Sequence, residues 1–290
     1  MVTLFTPTYN RADLLNRLYA SVLRQSDNNF EWIIIDDGSS DGTKEKIEGW
    51  IKENKANIRY IYQTNAGKAA AFNKCADYAK GEVVCCVDSD DYLTNDAVEV
   101  INKSLPKIRR SDVAGMVALK TDFEGKYLGK RFPQDVEYET VYNLDAKYQC
   151  RGEWSHIYKT EILKKYKYPI IEGEKFITES VLFDAIAKEY KVLLINQSVN
   201  FCEYQAGGLS NSIYECMKEN PTGFKIFYMQ RIDMALSFKE RVMYAVRYIA
   251  FKKLSKDSRY DYRGKHKCLM NLLSPVCYVA KKYYMKKLER

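Results

Sequence analysis

Four consecutive polar residues, Asp88, Ser89, Asp90 and Asp91, directly follow the apolar run EVVCCV in this 290-residue sequence. In a strand, residues two apart share a face, so Asp88 and Asp90 are expected to point the same way. Like charges that close repel one another unless a cation or hydrogen bonds hold them. Hard divalent cations such as Mn2+ and Mg2+ take oxygen ligands and keep positions for water and substrate phosphates. The cluster therefore reads as a metal–diphosphate clamp in which Asp88 and Asp90 face the metal. The competing reading is a cap cluster for a helix over residues 95–108.

Three other segments repeat the arrangement of an apolar run followed by polar, Gly- or Pro-bearing residues. LFTPTYNR places Pro7 where the ladder must stop, then the flat ring of Tyr9 and the phosphate-suited fork of Arg11. Its plain alternative is a strand–turn–helix junction with Asn10 as the helix cap. IIIDDGSSDGT ends a strand on Asp36 and Asp37, which are costly there unless they bind something. Gly38 permits a sharp turn, and Ser39, Ser40 and Asp41 suit the cap of the next helix. A carboxylate at this place either accepts from the N–H of a base or stays solvated in a capping loop. NAGKAAAFN brings Gly67 and Lys68 to the start of a helix whose positive end faces back. The spacing of a phosphate P-loop is absent.

Positioning four such exits requires a particular scaffold. β-branched or apolar runs at 2–6, 32–35, 58–62 and 82–87 alternate with segments of helical period at 11–24, 43–51 and 68–79. In the first of these helices Leu14, Leu15, Leu18, Tyr19, Val22 and Leu23 recur at three- and four-residue steps. Alternation of this kind predicts βαβ units, a mainly parallel Rossmann-like sheet flanked by helices, and ligands bound at the carboxyl ends of the strands. Beyond residue 122 the pattern weakens. A hairpin turn is expected at 122–129, a helix at 178–188, a strand at 191–196, and a helix with a basic face at 236–254.

Composition supports a folded core, with 46% hydrophobic and 13% aromatic residues. The 24 tyrosines read mainly as amphipathic packing. The formal net charge of +8 resides at the end of the chain: residues 239–290 hold 15 Lys and Arg against 4 Asp and Glu. Such a stretch attracts anionic lipid or presents a solvated helical face, and no nucleic-acid motif accompanies it. The eight cysteines contain no CxxC pair and read as reduced thiols of a cytoplasmic protein. Neither a secretory leader nor an apolar stretch long enough to span a bilayer is visible.

Together TPTYNR, IIIDDGSSDGT, NAGKAAAFN and VDSDDYL, in this order and spacing, resemble glycosyltransferase family 2. The likeness is strongest over residues 1–91 and extends to about residue 208. It implies a glycosyltransferase-A fold, with a catalytic domain over 1–210 divided into a nucleotide-binding part (1–120) and an acceptor-binding part (121–210). A basic helical segment over 211–290 follows. It also implies that Thr6, Pro7 and Tyr9 frame the nucleobase and that Asp37 accepts from uracil, with Asp36 and Gly38 shaping the loop. Arg11, Asn65, Gly67, Lys68 and Ser89 lie along the donor, Asp88 contacts its ribose or sugar, and Asp90 binds Mn2+ or Mg2+. Family members carry a later Glu-Asp pair whose acid near the acceptor is the base. The matching stretch, GEKFITESVLFDAI, has Ser180 after Glu179. Asp91 matches a second acid that contacts the donor sugar; Glu179 is the candidate base, with Asp91 and Glu174 as fallbacks and helix-end charge as its plain alternative. Trp154 and Glu153 are placed at the acceptor, Trp154 either stacking on a sugar or packing under the sheet. His156 reads as structural, and the GGLS turn at 207–210 as a lid.

The resemblance implies an inverting, metal-dependent hexosyl transfer from a UDP-sugar to a hydroxyl. The acceptor is a saccharide or lipid-linked saccharide, as in surface polysaccharide assembly at the cytoplasmic membrane face. The QxxRW motif of processive members is absent. Two rivals stay open: a nucleotidyltransferase, disfavoured because TPTYNR lacks a glycine-rich loop, and a sugar-nucleotide binder without turnover. Absence of GxGxxG disfavours a dehydrogenase.

Overall fold

The computed structural model describes residues 1–202, 213–255 and 257–273. The expected lid at 207–210 and the last part of the basic stretch fall outside them. The strands are β1 (Val2–Thr8), β2 (Phe30–Asp36), β3 (Ile58–Tyr62), β4 (Val83–Cys86), β5 (Tyr92–Leu93), β6 (Val113–Thr121), β7 (Tyr138–Glu139), β8 (Trp154–Lys159) and β9 (Lys191–Phe201). Helices α1 (Leu15–Leu23), α2 (Thr43–Glu53), α3 (Lys68–Tyr78), α4 (Ala97–Ser104), α5 (Val141–Ala146) and α6 (Thr160–Lys165) lie among them. Then come α7 (Ser180–Ala187), α8 (Ile213–Glu219), α9 (Pro221–Met234), α10 (Phe238–Leu254) and α11 (Lys267–Leu273).

Two compact units result. The first comprises Met1–Lys167 and the segment containing β9, and holds every described strand. Its sheet runs in the order β3-β2-β1-β4-β8-β6-β9-β5, with β7 on β9. The β3-β2-β1-β4 half is parallel throughout, as the alternation predicts. The other half is mixed: β8 runs antiparallel to both β4 and β6, whereas β6 and β9 are parallel. Long, irregular connections after residue 122, such as the one from β6 at Thr121 to β7 at Tyr138, hid this half from periodicity. The hairpin turn at 122–129 is present, closed by Asp122 N to Lys126 O at 2.9 Å.

All seven residues of β2 are buried, since both faces of the sheet are covered. On one face Leu4 and Trp32 pack with Leu15, Leu18 and Val22 of α1, Ile47 and Trp50 of α2, and Val98 and Ile101 of α4. Tyr19 stacks on Trp50 with ring centroids 4.2 Å apart. On the opposite face Phe5 meets Phe72 of α3 edge-on at 5.5 Å. Successive residues Leu4 and Phe5 thus serve opposite layers, as strand alternation demands. Each such fully buried apolar side chain contributes roughly 1.5–3 kcal/mol.

The order of the parallel half decides where a ligand can sit. From β1 the chain steps outward to β2 and β3, then returns to β4 on the other side of β1. In open α/β sheets the carboxyl ends of the strands beside such a reversal are where ligands bind.

The second unit takes Tyr168–Lys188 together with the C-terminal helices. Phe224, Tyr228 and Ile232 of α9 pack against Ala245, Tyr248 and Phe251 of α10. A reciprocal cap, Ser237 with Glu240, starts α10. Arg231 of α9 grips the buried Asp184 of α7 through both carboxylate oxygens. The seven described cysteines are all free.

Candidate donor-binding site

Most of the expected donor-site residues sit at the carboxyl ends of β1 to β4. After β1 the chain turns through Asn10, which has a φ of 51°. Asn10 does not cap α1, whose helical turns begin only at Leu15. Its backbone N–H donates to Ser39 Oγ, and its side-chain oxygen accepts from Ser40 N. Asp41 likewise accepts from Ala12 N at 2.9 Å. The loops after β1 and β2 are therefore one hydrogen-bonded unit, with the Tyr9 ring 49% exposed on it. Thr6 departs from expectation. It is fully buried, and its hydroxyl accepts from Trp32 Nε1 at 3.0 Å, so it braces the strand from inside and does not face a nucleobase.

The paired acids after β2 organise the backbone around them. Asp36 accepts from Ser39 N and from the Tyr60 hydroxyl, each at 2.7 Å. Asp37 accepts from Gln63 Nε2, Ala66 N and Gly67 N, each at 2.8 Å. A carboxylate has about four acceptor positions, so Asp37 keeps one after tying the loop before α3 to the end of β2. Gly38 has a φ of 92°, and a Cβ there would stand 3.0 Å from Asn65 N. Left-handed backbone and lack of room both require glycine.

At the centre lies the acid cluster. β4 ends at Cys86, and Asp88 to Asp91 form a turn closed by Asp91 N donating to Asp88 O at 3.0 Å. The expectation that Asp88 and Asp90 share a strand face is therefore corrected. Each acid instead meets a different cation. Lys68, the first residue of α3, reaches Asp88 at 2.5 Å. Arg11 approaches Asp90 at 3.8 Å. Lys120, near the end of β6, holds Asp91 at 2.8 Å. Ser89 is buried within the turn.

Burial pushes the Asp88 carboxyl up, but Lys68, Lys120 and Arg11 outweigh it and hold it below the usual carboxylate range. Burial also pushes Asp91 up, opposed by Lys120 and reinforced by Asp88. For Lys120, burial disfavours the charge, yet Asp91 and Asp88 hold the ammonium far above the ordinary lysine range. Asp91 is only 3% exposed and Lys120 13%. This corrects the expectation that Asp91 takes part in proton transfer: its carboxylate is enclosed and committed to Lys120. Sequence reasoning missed Lys120. Its signal was available, since a charged residue closing the apolar run VAGMVAL carries the same desolvation cost that flagged the aspartates.

Among the described residues no group of three or more His, Cys, Asp or Glu is gathered to hold a metal by itself. Asp88 and Asp90, about a third exposed, offer the hard oxygens that Mg2+ or Mn2+ takes. Such a set fits a cation whose remaining ligands are water and substrate phosphate, as is usual for Mg2+.

Glu153 is exposed, and Cys202 Sγ lies 3.6 Å from its carboxylate. Trp154 opens β8, is part-exposed, and its ring lies 5.3 Å from that of Phe132. In the helical unit, Glu179 precedes α7, is exposed, and makes no side-chain cap to it. Glu174 spends both oxygens on the start of α9, accepting from Thr222 N and Gly223 N at 2.8 and 2.9 Å.

GlyA of Streptococcus pneumoniae, a glycosyltransferase, is 26% identical over 223 residues, 72% of this chain. The chain spans only 31% of GlyA's length. The structure of S. aureus TarS 1–349 in complex with UDP-GlcNAc superposes with a TM-score of 0.60 at 19% identity, covering 99% of this chain and 89% of that one. The mannosyltransferase PcManGT from Pyrobaculum calidifontis, in complex with GDP-Man and Mn2+, gives 0.53 at 17% identity, covering 99% and 72%. These likenesses show the glycosyltransferase-A fold. The model of glycosyl transferase family 2 matches residues 3–171, a span that takes in β1 to β8 and the four strand exits, and on that match the chain belongs to glycosyl transferase family 2.

Proposed function

We propose that this chain transfers a glycosyl group, with inversion, from a UDP-sugar to the hydroxyl of a saccharide or lipid-linked saccharide, in surface polysaccharide or glycoconjugate assembly. The observation that carries the proposal is the convergence of Arg11, Lys68, Asp88 and Asp90 where β1, β3 and β4 end. Three kinds of support agree: family membership, the fold shared with a UDP-GlcNAc complex of TarS, and the fold shared with a GDP-Man and Mn2+ complex of PcManGT.

In this reading Asp90 and Asp88 are the residues that would hold a divalent cation, which would supply charge neutralisation on the diphosphate side. Arg11 and Lys68 add fixed positive charge on the same side, aided by the amino end of α3. Tyr9 and the loop braced by Asp36 and Asp37 bound the base. Glu179 takes the acceptor proton as the new C–O bond forms and the bond to the diphosphate breaks. Trp154 and Glu153 lie on the acceptor side. The 15 basic residues within 239–290 favour an anionic membrane surface as the place where a lipid-linked acceptor is met. Ser180 after Glu179 favours one other reading, donor binding without turnover.

UDP release, measured with UDP-GlcNAc and other UDP-sugars with and without Mn2+, tests the proposal. Release that requires a donor, Mn2+ and an intact Asp90 is expected. A folded chain that binds UDP but never releases it from any donor selects the second reading.

A further inference from the structure

We propose that the end of the helical unit where α9 turns into α10 is a membrane anchor. Leu236 and Phe238 seat in the apolar boundary of an anionic bilayer, and basic residues gathered at the same end meet its headgroups. The contact uses no residue of the donor site, so it stands or falls separately from the reaction.

Among the described residues the three most exposed large apolar side chains are Leu272, Phe238 and Leu236, at 76%, 69% and 60%, and all lie at or after the end of α9. Leu236 and Phe238 flank Ser237, the N-cap of α10. An apolar residue before such a cap ordinarily packs on the fourth residue of the helix. Here that residue is Arg241, which instead donates to Ala235 O at 2.9 Å and Ile232 O at 3.3 Å and closes the end of α9. The turn is tightly held, because Glu240 accepts from Leu236 N and Ser237 N while Ser237 Oγ accepts from Glu240 N. A turn built this way holds two apolar side chains in water, a cost that contact with an apolar phase removes.

Charge selects the partner. Residues 239–273 hold ten Lys and Arg against three Asp and Glu. The path of the chain brings part of this charge to the turn. The Tyr262 hydroxyl donates to Asp233, near the end of α9, at 2.6 Å and accepts from His266 N at 3.1 Å, which ties the segment 262–267 to that end. Arg263, Lys265 and Lys267 on this segment are exposed, as is Lys239 in the first turn of α10. The acids nearby are engaged, Glu240 by the cap and Asp233 by Tyr262. Apolar side chains beside cations match an anionic bilayer, whose acyl boundary takes up the first and whose headgroups attract the second. A second copy of the chain would bring the same cations to the contact, and like charges oppose such pairing.

Flotation of the full chain with vesicles of phosphatidylcholine alone, or of phosphatidylcholine and phosphatidylglycerol in equal parts, reads the contact. Binding to the anionic vesicles, weakened by salt and absent from the neutral ones, is expected. Leu236→Ser/Phe238→Ser should weaken it by at least about tenfold, since withdrawing one such side chain from an apolar phase is already worth roughly that factor. Lys265→Gln/Lys267→Gln should weaken it by about fivefold per residue and flatten the salt dependence. All four side chains are exposed, so the melting temperature and donor-dependent UDP release without vesicles should match wild type. Unchanged binding by either variant, equal binding to both vesicles, or a folded wild-type chain that binds neither overturns the anchor. So does a wild-type dimer in light scattering that Leu236→Ser/Phe238→Ser dissociates. Absence of UDP release from the wild type with vesicle binding intact removes the donor reading and leaves the anchor standing.

Discussion

Replacing Lys120 by methionine removes the cation that, among the described residues, the fold encloses with the acid cluster. Asp91 is 3% exposed, and Lys120 is its ion-pair partner at 2.8 Å. Breaking a buried pair from one side costs about 3–5 kcal/mol, because the remaining charge is left uncompensated. At roughly 2–4 °C per kcal/mol for a unit of this size, the melting temperature should fall by about 6–20 °C. The pH dependence identifies the cause. Without Lys120, burial and Asp88 push Asp91 up against only a hydrogen bond from Cys202, so its folded-state pKa rises further above the unfolded value. A carboxyl with a raised folded pKa contributes most to stability below its unfolded pKa and loses that contribution as pH rises through the folded one. The penalty of Lys120→Met should therefore be largest near neutrality and shrink on acidification to about pH 4. In Lys120→Met/Asp91→Asn the buried charge is gone, and most of the loss should be recovered, since neutral replacements of buried pairs are often tolerated. Urea denaturation of the wild type, both single variants and the double variant, at pH 4 and 7, closes this cycle. A penalty that is the same at both pH values, or a double variant as unstable as the sum of the singles, refutes the electrostatic account and leaves packing as the role of Lys120.

Other perturbations address the remaining roles. Asp90→Asn should abolish Mn2+-dependent UDP release with little change in melting temperature, because the side chain is about a third exposed; activity equal to wild type removes Asp90 from the metal role. Glu179→Gln should lower turnover by roughly 10²–10⁴-fold while UDP affinity stays the same; loss of affinity in step with turnover moves the base elsewhere. In the helical unit, burial pushes the Asp184 carboxyl up to about 6 against the opposing pull of Arg231. Its contribution to stability is thus fully present below its ordinary value of 3.8 and lost as pH rises through about 6. Asp184→Asn should flatten this part of the pH–stability curve, and an unaltered slope between pH 4 and 7 contradicts the assignment. Truncation after Leu273 should weaken flotation with anionic liposomes while donor-dependent UDP release persists; undiminished flotation dissociates the basic end from lipid.

The parallel half of the fold was legible because its signals are local. Each of β1 to β4 is a short apolar run ended by turn residues, and α2 and α3 begin at the residues where the helical period does. The mixed half was not, because the place of β8 between β4 and β6 depends on pairing across about 70 residues of chain. No helix among the described residues is long and apolar enough to cross a membrane, in keeping with the broken apolar stretches of the sequence.

By itself the sequence determined which chemistry was on offer: oxygen ligands after β4, cations after β1 and β3, and turn-forming acids after β2. Residue type and distance from a strand end are properties of the chain alone. Tertiary structure decided the partners. It enclosed Asp91 with Lys120, turned Thr6 into the interior, and gave Asp37 to the loop before α3. These outcomes depend on which strands become neighbours and how deeply each carboxylate is buried. The energy of a charge is set by that burial and by the nearest opposite charge, neither of which is written at any single position.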